Sequence, residues 1–510
     1  MDLATELAQF NPHTTTPEAL AEQVLVWARL AVQQQQEIHL KDTKIAALTL
    51  ELAYHKRIKF AAKTEAFTAH QCDLFQETQE TDLSAMQAEL EQLSSTPRVK
   101  TKPTGRKPLP AELPRIEHRH EPASCSCGAC GQTLVKIGED ITEQLDVEPA
   151  RFFVQRHIRP QYACRQCETI TAAAIPASII DGGLATPSLH AWVVIQKYLD
   201  HLPLYRIEQI STRHGVTIAR STLAEWIGRI GVALQPLADR LSELLRQRRV
   251  LHADETPVPQ LDPGKGKTKR AYLWAYRSNS LDEGPPIVVF DFQSGRSGSH
   301  VQAFLKDWQG HLMVDDYGGY KALFQQGITE LACLAHARRK FFDLHAANQH
   351  PIAAEALQRI AELYRIESEA AHYAIPQRQQ WRAEHAQPRL DAMHLWLLTI
   401  RKTTAQGCAL ARAIDYSLKR WNAIMRYAAS GNLPIDNNPI ENAIRPIAIG
   451  KKNWLFAGSE RAGKRAAAIQ TLLATAKAND IEPFAWLKDT LEKLPTCPNS
   501  RIDDLLPLRA

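Results

Sequence analysis

The chain lacks any run of about 18 consecutive apolar residues, so no membrane-spanning helix is expected. Its first residues, MDLATELAQF, carry acids and no apolar block after a basic start, so no signal-peptide pattern is present and no secretory leader is expected. Strong charge of one sign is also missing. The formal net charge is only +5, so overall attraction to phosphates is weak and any nucleic-acid contact must come from local clusters. No self-similarity of solenoid length occurs, which excludes a repeat array. Cysteine is sparse and odd in number: nine, of which four form two CxxC pairs. That pattern fits a reducing cytosol and a metal site better than a disulfide framework.

What is present is an ordinary globular composition, 44% hydrophobic and 23% charged, over 510 residues. One core rarely serves more than about 250 residues, so several domains are expected. Residues 1–95 read as helical. Val24, Ala31, Ile38, Ile45 and Leu52 recur every seven residues, while the second seam, Trp27, Gln34, Lys41, Leu48 and His55, is mixed. Half a heptad pattern fits a coiled coil between copies or an amphipathic helix packed on its own chain. Residues 96–122 are basic and proline-rich and read as a linker, either lying along phosphates or merely solvated.

The segment 123–175 contains Cys127 and Cys130, then Cys164 and Cys167. Each CxxC turn can present two thiolates to one tetrahedral ion, and two turns complete the shell. The 33 residues between the pairs, 131–163, leave room for a hairpin in a zinc-ribbon-like module. A closed four-thiolate shell would make one zinc ion structural; reduced, metal-free turns are the alternative, and Cys125, His118 and His120 lie close enough to compete as ligands. Residues 185–245 include PLYRIEQISTRHGVTIARSTLAEWIGRIG, with Gly215 at the break and Ser221 as the expected cap of the second helix. In a DNA-binding helix-turn-helix, Arg213, Arg220 and Ser221 would face DNA; two packed enzyme helices would look the same.

From residue 250 the pattern turns to strands: VLHAD, RAYLWAYR, PIVVFDF and HLMVDDY, with helices expected from 321 to about 430. Asp254 and the Asp315–Asp316 pair close strands in this reading, and Glu441 lies at a helix start where Asn438 caps and Pro439 fits the first turn. Three such carboxylates could share divalent cations for in-line phosphoryl transfer. The plainer readings are turn-forming acids and a Glu441–Arg445 helix pair. Cationic and aromatic side chains suited to phosphates and bases cluster as His336, Arg338, Arg339 and Lys340, then Arg445, Lys451, Lys452, Trp454 and Arg461; a solvated helix face is the alternative.

Taken together and in order, GRKPLPAELPR, the two CxxC pairs, KYLDHLPLYRIEQISTRHG, VLHADETPV, AYLWAY, VDDYGGY, CLAHARRKFFD and DNNPIENAIRPIAIGKKNWLFAGSERAG resemble the IS66 family of bacterial insertion-sequence transposases. The resemblance implies a multidomain α+β chain. Its parts are a helical start (1–95), a linker (96–122), a zinc-ribbon-like module (123–175), a helix-turn-helix-type region (185–245) and an RNase H-like α/β core in two pieces, 246–325 and 431–480. A helical insertion (326–430) separates those pieces, and a C-terminal tail (481–510) follows. It implies a DDE triad of Asp254, Asp315 and Glu441 holding two magnesium (or manganese) ions, Asp316 leaving the second acid open between neighbours. It further implies action on double-stranded DNA at terminal inverted repeats and target sites, a homo-oligomer in the working complex, accessory proteins from the same element, and a bacterial cytoplasmic location at the nucleoid. A transposase-derived DNA-binding regulator without catalysis, and a cellular RNase H-type nuclease, are the rival readings.

Overall fold

The computed structural model describes residues 17–60, 85–86, 109–111, 113–121, 125–126, 129–148, 151–262, 265 and 267–509. Cys127, residues 61–84 of the expected helical start and residues 96–108 of the expected linker lie outside these. Helix α1 (Pro17–Phe60) carries the heptad, and Val24, Ile38 and Ile45 on it are exposed at 51%, 58% and 61%. The better-covered positions are Trp27, Leu30, Gln34, Leu40, Thr43 and Ala46, so the regular seam at Val24, Ala31, Ile38 and Ile45 is left facing outward.

A small sheet follows, with β1 (Arg115–Arg119), β2 (Val135–Glu148), β3 (Arg151–Ala163) and β4 (Ile170–Ala172). The β2–β3 hairpin fills the interval between the two cysteine pairs, and β1 runs parallel to β3 with His118 opposite His157. The basic segment read as a linker therefore ends as a strand; RIEHR is too short to show alternation clearly. The hairpin is fastened to the next helix through Asp146, whose carboxylate accepts from Thr186 Oγ1 (2.6 Å) and Gln155 Nε2 (3.1 Å). Thr186 in turn caps α2 (Pro187–Tyr198), accepting from Leu189 N.

Helices α3 (Leu204–Arg213) and α4 (Arg220–Leu245) meet at Gly215, whose φ of +81° suits glycine. Ser221 is not the cap. Ala219 holds that position, and Glu208 of α3 supplies the missing acceptor, taking the Arg220 N–H at 3.2 Å and the Arg220 guanidinium at 3.3 Å. Beyond its first turn α4 is core: Leu223, Trp226, Ile227, Ile230 and Leu234 are at most 2% exposed.

The central sheet has the order β7-β6-β5-β8-β9, built from β5 (Val250–Asp262), β6 (Lys267–Ser278), β7 (Val288–Gln293), β8 (His311–Val314) and β9 (Thr329–Ala332). The first three strands are antiparallel; β8 and β9 run parallel to β5. Helices α5 (Gly298–Leu305) and α6 (Lys321–Gln325) make the crossovers. Strand β9 falls where only helices were expected, because TELA is too short to reveal a period.

An insertion follows: α7 (Leu334–Asn348), α8 (Pro351–Glu369), α9 (Ile375–Trp381), α10 (Gln387–Thr403), α11 (Ala409–Lys419) and α12 (Trp421–Met425). It has its own core around Phe341, Ile360, Leu363, Leu390 and Trp421. Buried Arg420 joins it to the sheet, donating to Glu330 Oε1 (2.8 Å) and to the Val314 carbonyl (3.2 Å).

The chain then returns through α13 (Asn438–Trp454) and α14 (Glu460–Ala478). Helix α14 covers the β7 edge: Thr475 Oγ1 and Thr471 Oγ1 accept from the N–H groups of Val288 (3.1 Å) and Phe290 (2.8 Å). Edge donors that could pair with another chain are thereby satisfied. The last residues are not a loose tail, since α15 (Pro483–Lys493) buries Leu487 and Leu491, and Leu505 and Leu506 join the same core. Among the described residues no helix is long and apolar enough to cross a membrane.

Candidate functional site: an acid cluster at the sheet

Strand β5 pairs with β8 through Val250↔His311, Leu251↔Leu312 and His252↔Met313. Continuing that parallel register by two residues brings Asp254 level with Asp315. Asp254 is not at a strand tip, as its sequence suggested. β5 runs on to Asp262 against β6, with Asp254 opposite Ala275, and only the pairing with β8 ends before it. Pro257 and Pro259 are tolerated there because the pairing with β8 has ended; on that edge the Pro259 carbonyl accepts from the Ala457 N–H at 2.8 Å, and no proline N–H is called for.

Glu441 arrives from α13. Asn437, not Asn438, precedes this helix, and its side chain does not cap it. Instead Asn437 Nδ2 donates to the Ala253 carbonyl (2.9 Å), and Oδ1 accepts from His252 Nδ1 (3.0 Å). The Asn438 N–H goes to Asp436 Oδ1 at 3.0 Å. The helix is so tied to the residue before Asp254, and Glu441 projects one turn further on, about 6 Å along the axis.

The electrostatics agree with this convergence. The Asp254 carboxyl is pushed up to about 7, chiefly by burial, then by the charge of Glu255, with Asp315 and Glu441 adding to it. Such a group is only about half ionised in neutral water, and a bound cation favours its charged form. Asp315 Oδ1 accepts from the Tyr317 N–H (2.8 Å), while Asp316 leans toward Arg420, 4.0 Å away. Glu255 is on the opposite face of β5, accepting from Tyr320 Oη (2.7 Å) and Arg296 Nε (2.8 Å). Glu441 faces His336 Nδ1 (3.6 Å) and Arg339 (3.6 Å) from α7, and no ion pair joins it to Arg445 among the described residues.

The donor set suits hard divalent cations. It is all oxygen at Asp254, Asp315 and Glu441, and Glu441 Oε1 is buried without a hydrogen-bond donor. The cysteine module passes a similar test. Cys130 Sγ lies 3.4 Å from Cys164 Sγ and 3.8 Å from Cys167 Sγ, far longer than a disulfide. Two thiolates on one tetrahedral zinc ion stand about 3.8 Å apart. Cys127, the fourth expected ligand, lies outside the described residues.

The cationic residues lie on the helices that border the acid cluster. Arg338, Arg339 and Lys340 are exposed on α7, and Arg445 and Lys452 on α13. Lys451 Nζ donates to the Pro257 carbonyl (3.2 Å) beside the acid strand. Trp454, at the end of α13, is half-buried on the same face of β5 and β6 as Asp254, lining a small cavity of about 90 Å³ with Val258, Leu273 and Phe292. Arg461 belongs to the first turn of α14. Arg213 and Ser221 are exposed near the α3–α4 turn, while Arg220 is turned back onto Glu208.

Sequence reasoning missed three contributors. Asn437, Arg420 and Arg296 carry no charge pattern of their own; the doublet DNN and the loop SGRSG were the available signals.

The family described as "Transposase IS66 family" matches residues 182–465, and "zinc-finger binding domain of transposase IS66" matches 124–168. "IS66 C-terminal element" matches 471–508, and "Transposase C of IS166 homeodomain" matches 47–117. "Uncharacterized protein y4qI" of Sinorhizobium fredii is 37% identical over 506 residues, covering 94% of this chain and 93% of its own length. "Uncharacterized protein y4jD" of the same organism is 37% identical over 415 residues, covering 78% and 81%. With a family match across the acid strands and their helical return, a second across the paired cysteines and a full-length relative, the chain belongs to the IS66 family of transposases.

Proposed function

We propose that the protein cleaves DNA at the terminal inverted repeats of its element and joins the freed ends to target DNA, with Asp254, Asp315 and Glu441 as the catalytic acids. The observation that carries this is the β5–β8 register, which brings Asp254 level with Asp315 while Asn437 ties the Glu441 helix to the same strand. The sheet, three antiparallel strands followed by two parallel ones on the other side of the first, supports an RNase H-like core. Asp315 is favoured over Asp316 because its charge reaches Asp254, whereas Asp316 leans on Arg420.

In this reading the three carboxylates hold two magnesium or manganese ions. Those ions supply activation of the attacking oxygen and stabilisation of the leaving one. The protein's own residues orient and screen. Glu255, bound by Arg296 and Tyr320, fixes the strand behind Asp254. Arg338, Arg339, Lys340, Arg445, Lys451, Lys452 and Arg461 offer charge to the DNA backbone, His336 offers an imidazole N–H, Trp454 offers a ring beside them, and Arg213, Arg220 and Ser221 stand at the helix turn. In cleavage, water attacks phosphorus and the bond to the 3′ oxygen breaks, leaving a 3′-hydroxyl and a 5′-phosphate. In joining, that hydroxyl attacks a target phosphorus and expels the target's 3′ oxygen. One structural zinc ion on Cys127, Cys130, Cys164 and Cys167 would hold the ribbon that helps grip the repeats. Joining two ends calls for at least two copies, and the exposed α1 seam suits such pairing; accessory proteins of the same element would complete the machinery. The place of action is the bacterial cytoplasm, at the nucleoid.

The test is incubation of the purified chain with labelled element ends or random duplex in magnesium. End-specific nicking and joining supports the proposal. Binding to the ends without nicking by the native chain supports the regulator reading, and nicking of both duplexes alike supports a general nuclease.

A further inference from the structure

Next to the acid cluster, two further donors, Cys333 and His336, converge on Glu441 in an arrangement that the strand-cleavage chemistry does not require. Cys333 closes β9 and precedes α7; His336 follows one turn later; Glu441 faces both from α13. One ligand atom from each lies within 4.8 Å of the others. His336 Nδ1 and Glu441 Oε1 are 3.6 Å apart, and both atoms are buried without a hydrogen-bond partner. That separation is too long for a hydrogen bond. It is the spacing of two donors on one tetrahedral ion, about 3.3–3.8 Å for bonds near 2.0–2.3 Å.

The third donor decides which ion fits. Cys333 is 1% exposed, and its Sγ accepts the Asn437 N–H at 3.2 Å. Without an ion the sulfur is a buried thiol held at the start of α13. A bound cation would displace that proton, and the N–H donors would then steady a thiolate. Sulfur, imidazole nitrogen and one carboxylate oxygen form a mixed set that magnesium disfavours and zinc favours.

We propose that Cys333, His336 and Glu441 form a second zinc site, separate from the cysteine ribbon and sharing Glu441 with the acid cluster. The fourth position is left to water or to a neighbouring group. Because Glu441 belongs to both sets, occupancy of the two is linked through one carboxylate.

The experiment counts zinc. The full-length chain is saturated with Zn2+, dialysed and measured by elemental mass spectrometry, alongside variants checked for folding by circular dichroism. The native chain and Asp254→Asn should each retain two ions; His336→Gln and Cys333→Ser should each retain one, with zinc affinity at the lost site down by at least about tenfold. Cys164→Ala should also lose one ion, and that loss should leave the Cys333 site filled. A native count of one that Cys164→Ala abolishes, or an unchanged count in folded His336→Gln, overturns the proposal. Nicking in magnesium is scored separately: two zinc ions without nicking would leave this site standing and remove the strand-cleavage reading alone.

Discussion

Asn437 Nδ2 donates to the carbonyl of Ala253 at 2.9 Å, fastening the start of the Glu441 helix to the residue that precedes Asp254. Asn437 is fully buried, and its other amide atom meets His252 Nδ1. Replacing Asn437 with Ala should strand two buried polar groups and cost about 2–3 kcal/mol of stability. Urea denaturation checks the cost. Strand cleavage should fall far more than stability requires at low denaturant, because Glu441 loses its bearing on Asp254.

Asp254 titrates in the opposite sense to an ion-paired acid. Its folded value, about 7, lies above the unfolded one, so the folded state binds the extra proton and stability falls as pH rises from about 4 to about 7. Above pH 7, without divalent cations, this cost is fully present, on the order of a few kcal/mol. Asp254→Asn should therefore melt higher than the native chain in magnesium-free buffer at pH 8. Added magnesium should raise the native melting temperature and leave the variant where it was. Differential scanning calorimetry reads both.

His252 works against that slope. Burial holds its imidazole at about 4, so the neutral form is favoured and its contribution to stability is present above about 6.5 and lost as pH falls toward 4. In Asp254→Asn the counter-slope from Asp254 is gone. Stability should then climb more steeply between pH 4 and 6.5 than in the native chain, a difference that denaturant midpoints at stepped pH would expose.

The neighbouring acids should separate cleanly. Asp315→Asn should abolish nicking, while Asp316→Asn, whose carboxylate leans on Arg420, should reduce it by no more than about tenfold through a weakened seam between insertion and sheet. Equal loss in both variants would mean that the pair acts as a unit.

On α7, Arg338→Ala should weaken binding to every duplex alike and lower the slope of log affinity against log salt by about one. Fluorescence anisotropy over a salt series measures it. A change confined to one sequence would instead mark a base contact.

Much of this site could be read from sequence because its chemistry is written in local strings. HADET, VDDY and the NNPIEN helix start give the acids, and two CxxC pairs give the metal module. What could not be read was how the strings meet. Asp254 looked like a strand tip because Pro257, which lacks a ladder donor, reads as a strand end; the β6 partner keeps β5 extended to Asp262. Ser221 and Asn438 looked like caps, but the acceptors are others: Glu208, on the preceding helix and brought near only by the fold, and Asp436, two residues back in a local turn. Strand β9 is four residues long and buried between β8 and the insertion, so neither period nor composition betrays it.

The central claim is that Asp254, Asp315 and Glu441 share divalent cations. Anomalous X-ray diffraction from crystals of the full-length chain soaked in Mn2+ addresses it most directly. The account predicts manganese peaks within coordination distance of all three carboxylates, lost in Asp254→Asn. Manganese bound only elsewhere, or these three carboxylates ordered without a common ion at saturating manganese, would contradict it.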